Sequence, residues 1–157
     1  ALGAAVEAIH SADMIVLAPG SLYTSIIPNL LVDGIADAIR DSKALKLYVC
    51  NVMTQEGETE GYTVSDHIQA LFSHSYPGLF RLCLTNSTPI PEVIALRYAQ
   101  EGAEPIRHDV EKCRALGVEL IDRPVAALEN GLVRHNPGHL AHELMTIYEE
   151  YKPKDPA

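Results

Sequence analysis

The 157-residue chain is 47% hydrophobic and 21% charged, with a formal net charge of −9 and a pI near 5.1. Those totals fit one domain with a sizeable core. They argue against a nucleic-acid partner, because no basic stripe is present to release counterions, yet they leave room for a phosphate-bearing small molecule held by backbone amides. No apolar run reaches the ~18 residues of a membrane span and no signal peptide is legible, so neither membrane insertion nor secretion is expected.

In chain order, the segment closing on Val6, Ala8 and Ile9 reads as an opening helix. Residues 14–18 (Met-Ile-Val-Leu-Ala) are continuously apolar, the mark of a strand buried on both faces of a parallel sheet. Pro19-Gly20-Ser21 ends the run, Pro by fixing φ and Gly by opening backbone angles closed to other residues. Hydroxyls follow at Ser21, Tyr23, Thr24 and Ser25, then an apolar stripe at helical spacing: Ile27, Leu30, Leu31, Ile35, Ala38 and Ile39. The expectation is one helix over 26–40, capped by Thr24 or Ser25, with Pro28 in its first turn.

Residues 46–51 read as a second strand and 52–61 as a polar loop. Thr63 and Asp66 make a capping box ahead of a helix carrying Ile68, Leu71 and Phe72. Pro77-Gly78 turns the chain into a third strand over 79–86, and Pro89 and Pro91 open a helix reaching Gln100. A short strand over 104–108 follows, then a short helix capped by Asp109 and closed by Gly117, then a strand over 118–122. Asn130-Gly131 marks a hairpin turn within 126–135. Asn136-Pro137 starts the last helix, striped by Leu140, Leu144, Ile147, Tyr148 and Tyr151, and 152–157 is expected to be a flexible polar tail. Strands alternating with helices predict a single α/β domain over 1–151 with a largely parallel sheet.

Cys50, Cys83 and Cys113 are far apart, without a Cys-x-x-Cys pair, and read as buried reduced thiols, which suits the cytoplasm. In a parallel sheet, ligands bind at the carboxyl ends of the strands where strand order reverses, which groups the loops at 18–25, 51–61 and 86–91. The first has the order strand, tight turn, helix N-terminus, which gathers free N–H groups and the positive helix end around an anion. An ordinary βα turn with a capping hydroxyl is the competing reading. Gly20, Ser21 and Thr24 are therefore expected at a phosphate or diphosphate. The second loop is longer than a usual βα connection and dense in amides, hydroxyls and carboxylates. Asn51, Thr54 and Gln55 are expected to bond the ligand's base, ribose or sugar. His135, His139, His142 and Glu143 bracket a helix start and read as solvated or capping groups rather than metal ligands. Asp66 and His67 could pair for proton transfer, but an acidic residue at a helix start is expected for the dipole alone.

Two strings carry a family likeness. Leu17-Ala-Pro-Gly-Ser-Leu-Tyr-Thr-Ser-Ile-Ile-Pro-Asn-Leu-Leu31 and Tyr48-Val-Cys-Asn-Val-Met-Thr-Gln-Glu-Gly-Glu-Thr59 resemble the gluconeogenesis-factor (YvcK-like) branch of the CofD family. Tyr98, Glu101-Gly-Ala103, Pro105 and Leu128-Glu-Asn-Gly131 continue the likeness, which departs at Ala18, where the family pattern has Gly. The resemblance implies a Rossmann-like sheet flanked by helices. It implies a ligand set of Pro19, Gly20, Ser21, Tyr23, Thr24, Ser25, Asn51, Thr54, Gln55, Glu58, Thr59, Tyr98 and Arg134, with no catalytic or metal-ligating residue. Members are about twice as long and open with a Gly-rich βα loop. The chain, which begins at Ala1 without Met, is thus expected to be a C-terminal half whose pocket the N-terminal half of the same protein completes. The implied function is a UDP-sugar-binding regulator of carbon use and cell-wall growth that binds without turnover. The alternative is the family's Mg²⁺-dependent transferase, which moves a phospholactyl group from a guanosine diphosphate donor and whose counterpart loops differ from residues 53–59. A third reading is an assembly domain whose loops serve only an interface, and a homo-oligomer stays open as a partner.

Overall fold

The computed structural model describes residues 3–152, and its frame is a four-stranded parallel sheet in the order β1-β2-β3-β4. The strands are β1 (Met14–Leu17), β2 (Leu45–Val49), β3 (Leu82–Asn86) and β4 (Glu119–Arg123). Side chains alternate between the faces, so Leu47 and Val49 enter one core while Tyr48 enters the other, and Leu82 and Leu84 part from Cys83 in the same way. When strand order follows the chain, right-handed crossovers all return over one face. Accordingly α3 (Ile35–Asp41), α4 (Val64–Ser73) and α6 (Val110–Ala115) bring Ile39, Ile68, Leu71 and Cys113 to the core that holds Tyr48 and Cys83. The opposite face is covered by α7 (Pro137–Tyr151), whose Ile147 is buried with Val49, Leu84 and Ile121.

Local signals translate directly. Thr63 and Asp66 form both halves of the capping box on α4. Asn130 and Gly131 take φ of 51° and 72°, the left-handed pair a tight hairpin requires, and join β5 (Ala126–Glu129) to β6 (Leu132–His135). After α6, Gly117 N–H donates to the Arg114 carbonyl and Val118 N–H to that of Cys113, the paired bonds of a glycine-closed helix end. Asn136 caps α7 by accepting from His139 N–H. Cys50, Cys83 and Cys113 are free and buried, and burial pushes the Cys113 thiol up to about 12.

Four expectations are corrected. The helix expected over 26–40 is broken: a π-helical turn at Leu22–Ile26 leads into α2 (Ile27–Leu30), and α3 starts afresh after Gly34 at φ 85°. The two pieces meet at 72°, which leaves Leu31 exposed although it belongs to the apolar stripe, with Val32 exposed beside it. The N-cap is Ser21, not Thr24 or Ser25, and it makes no side-chain cap bond. The strand expected over 104–108 is only an isolated bridge, Met53 to Pro105, because Pro105 has no N–H to extend a ladder. Asp109 sits at the N-cap of α6 without capping it, since its carboxylate is taken by Ser65 and Thr63.

The strand order contains no reversal among the described residues, so the sheet's carboxyl edge, not a switch point within it, gathers the loops. No single described helix is long and apolar enough to cross a membrane. Of the expected tail, Lys152 is the C-cap of α7, and 153–157 lie outside the described residues.

Candidate functional site

The loops after β1 and β2 are bonded to each other across the carboxyl edge. Asn51 holds both backbone groups of Gly20: its Oδ1 accepts from Gly20 N–H at 3.0 Å and its Nδ2 donates to the Gly20 carbonyl at 2.8 Å. Ser21 Oγ donates to Gln55 Oε1 at 2.9 Å. The first turn of the π-helical segment leaves its N–H groups without intrahelical acceptors, as every helix start does. Those of Leu22, Tyr23 and Thr24 converge on the Glu58 carboxylate at 3.1, 3.2 and 3.1 Å. The strand–turn–helix segment is thus an anion cradle, and the anion it holds here comes from the neighbouring loop.

The second loop is braced in turn. Thr54 is buried, donating its N–H to the Glu104 carbonyl at 2.8 Å and accepting from Glu104 N–H through Oγ1 at 2.9 Å. Thr59, also buried, accepts from Gln55 N–H at 2.9 Å. Tyr23 and Tyr62 share a hydroxyl hydrogen bond of 2.9 Å. That bond and burial push the Tyr23 phenol up to about 12. Tyr62 packs edge-on against His67, whose Nδ1 lies 2.8 Å from the Thr63 carbonyl and whose Nε2 is buried without a partner among the described residues. Asp66 instead accepts from Thr63, so Asp66 and His67 do not form a proton-transfer pair.

Of the residues expected at a ligand, Gly20, Ser21, Tyr23, Thr24, Asn51, Thr54, Gln55, Glu58 and Thr59 meet in this network or brace it. Pro19, Gly20 and Ser25 also line a groove of about 370 Å³ between β1, α2 and α3. Gly20 does not take a left-handed φ, and a Cβ there would meet Ser25 and Ile26 at 3.7 and 3.9 Å, ordinary contacts. Its glycine is therefore not required by the turn. Tyr98 and Arg134 belong to different elements: Tyr98, on α5 (Glu92–Gln100), accepts from Val133 N–H at 2.9 Å, and Arg134 is exposed on β6 opposite Ala127.

Two histidines that sequence reasoning left out of the ligand set also stand at this edge. His135 on β6 is drawn to the Cys50 carbonyl, while burial, the larger effect, keeps its pKa low, and its Nε2 is buried without a partner among the described residues. His108 Nδ1 lies 3.1 Å from Asp122 Oδ1 on β4. Neither carries a motif, and only the fold brings them to the loops.

The acidic residues do not suit a metal held by this chain. Glu58 is bound to three backbone N–H groups and Glu60 to that of Gly57 at 2.7 Å. No group of three or more His, Cys, Asp or Glu able to hold a metal occurs among the described residues. Among the described residues there is no donor set for the Mg²⁺ that the transferase alternative needs.

Comparison with known proteins places the fold. The family model described as 2-phospho-L-lactate transferase CofD matches residues 1–126. The chain belongs to the CofD family. Within it, the chain is similar to the gluconeogenesis factor of Halalkalibacterium halodurans, 47% identical over 139 residues that cover 88% of this chain and 43% of that protein. It is 41% identical to the gluconeogenesis factor of Bacillus subtilis over 145 residues, covering 92% of this chain and 46% of that protein. A crystal structure of a UPF0052-family protein from Bacillus halodurans superposes with a TM-score of 0.88 at 46% identity, covering 92% of this chain and 47% of the other. The chain thus spans less than half the length of these family relatives. The likeness expected from residues 17–31 and 48–59 is confirmed, and so is the α/β fold.

Proposed function

We propose that this chain is the C-terminal portion of a cytoplasmic regulatory protein that binds a nucleotide sugar of the UDP type and acts in carbon metabolism and cell-wall growth. Family membership and the relatives named gluconeogenesis factor support the coarse reading. The finer one is carried by a single observation: three N–H groups at Leu22, Tyr23 and Thr24 converge on one carboxylate. Such a turn is preorganised for an anion, and in this reading a ligand phosphate exchanges with Glu58. The freed loop then turns Ser21 and Gln55 toward ribose or sugar. Binding without turnover follows from the same residues. Residues 18–25 and 51–61 contain hydroxyls, amides and glutamates but no Lys or Arg to stabilise the charge that develops in phosphoryl-type transfer.

Calorimetric titration of the protein at its full natural length, with UDP-glucose and GDP and with and without Mg²⁺, tests this reading. Saturable UDP-glucose binding without nucleotide release is expected, and Glu58→Gln should tighten it by removing the competing charge. Sustained Mg²⁺-dependent nucleotide release would overturn the regulator in favour of the transferase.

A further inference from the structure

The third loop at the carboxyl edge, residues 86–91, borders a cavity of about 310 Å³ that the diphosphate cradle does not use. Sheet register fixes one of the residues that line it, His108. Thr85 on β3 lies opposite Asp122 on β4, and Thr85 Oγ1 donates to Asp122 Oδ1. The same oxygen faces His108 Nδ1 at 3.1 Å. Backbone bonds beside His108 hold it there: Ile106 N–H donates to the Val52 carbonyl at 3.0 Å, and Val64 N–H to that of Arg107 at 3.1 Å. A carboxylate only accepts, so Nδ1 carries the proton, and Nε2 is the ring nitrogen left for a ligand of the cavity that His108 lines.

The remaining lining decides what such a ligand is. Val52, Ile90 and Ile106 make apolar walls. Asn86 Oδ1 already accepts from Thr88 and Ala126 N–H at 3.1 and 3.0 Å, and its Nδ2 spends one of its two N–H groups on the Thr88 carbonyl at 2.9 Å, which leaves one amide N–H. Thr88 Oγ1 reaches the Ala126 carbonyl at only 3.5 Å and is free to turn. One imidazole acceptor, one amide N–H and one hydroxyl on apolar walls suit a neutral polyhydroxylated ring, whose C–H faces pack while its hydroxyls bond. They suit a phosphate poorly, because it needs several converging donors and the imidazole offers it an acceptor. The volume lies at the low end of the roughly 300–1,000 Å³ of small-molecule sites, enough for one ring and not for a whole nucleotide.

We propose that this cavity is the sugar subsite of the same ligand, with a sugar hydroxyl donating to His108 Nε2 and Asp122 acting as the positioning residue that fixes the imidazole tautomer. The inference rests on the nucleotide-sugar reading, and Val52, the residue after Asn51, joins the two regions. A half-exposed His–Asp pair contributes little to stability by itself, so substitution here spares the fold.

The test compares UDP-glucose with UDP on the protein at its full natural length. Wild type is expected to prefer UDP-glucose. His108→Ala should lower UDP-glucose affinity by about three- to tenfold, the worth of one neutral hydrogen bond, while leaving UDP affinity and melting temperature unchanged. His108→Gln, which restores an acceptor oxygen, should recover part of the preference. An unchanged UDP-glucose affinity in His108→Ala, or an equal loss for both ligands, overturns the subsite. Binding of UDP with no preference for UDP-glucose in wild type overturns the subsite while sparing the cradle. Wild-type binding of neither ligand overturns the nucleotide-sugar reading and the subsite together.

Discussion

The two loops around Glu58 and the cavity beside His108 stand at the same edge of one sheet, yet they treat their polar groups in opposite ways. In the loop pair nearly every group has found a partner within the chain: Asn51 saturates Gly20, Glu58 saturates the helix start, and Thr54 saturates Glu104. In the cavity Asn86 is largely spent as well, but of the His108 imidazole the chain spends only one ring nitrogen. Residue types that look ready for a ligand are thus consumed in architecture, while a histidine without a motif is left available. The difference separates stability from recognition and makes both measurable.

Asn51→Ala should break the comparison most sharply. It strands the N–H and carbonyl of Gly20, both partly buried, and unmet buried groups cost about 1–3 kcal/mol each. A loss of roughly 2–3 kcal/mol in denaturant unfolding is expected, against almost none for His108→Ala. If the two variants ranked the other way, the loop pair would not be the structural half.

Glu58→Gln comes next. An amide keeps an acceptor oxygen but loses the charge that strengthens three bonds to the helix start. Stability should fall by about 1–2 kcal/mol while phosphate-bearing ligands bind more tightly. Opposite signs in the two measurements are the signature of a built-in anion; a loss in both would make Glu58 a ligand contact.

These contrasts also mark what the sequence revealed. Signals confined to a few residues were legible: the Thr63–Asp66 box, the Asn130-Gly131 turn, the Gly117 stop and the apolar strands. The 17–31 and 48–59 strings identified the family. The break at Gly34 was not legible, because the stripe from Ile27 to Ile39 keeps helical spacing across it. Nor could spacing show that Glu58 reaches residues 34 to 36 positions earlier, or that register sets Asp122 beside Thr85. Such pairings depend on strand order, which local pattern does not carry.

Acid should weaken the loop pair's surroundings. Burial lowers the pKa of His67, against the pull of the Thr63 carbonyl and nearby Asp66 and Glu58, and burial likewise lowers that of His135. A histidine depressed in the folded state binds its proton more readily when unfolded. Its neutral form supports the fold fully above the ordinary value near 6.5, and that support is lost as pH falls below it. Unfolding midpoints should therefore drop between neutral pH and about pH 5, and His67→Gln should flatten the slope. An unchanged slope would place the acid sensitivity elsewhere.

Gly20→Ala is the smallest effect and the finest probe of the cradle. A glycine in a βα turn usually signals a left-handed φ or a close backbone approach, but Gly20 has neither: its φ lies outside the left-handed region and the new Cβ meets Ser25 and Ile26 at ordinary distances. Losing glycine's freedom in the unfolded chain should then leave stability unchanged or raise it by up to about 1 kcal/mol. The fold alone would not need glycine there. If the cradle binds a phosphate, the methyl group narrows its approach, and UDP affinity should fall while melting holds steady or rises. Equal affinity for UDP in Gly20→Ala and wild type would make residues 18–25 a turn held by Glu58 and nothing more.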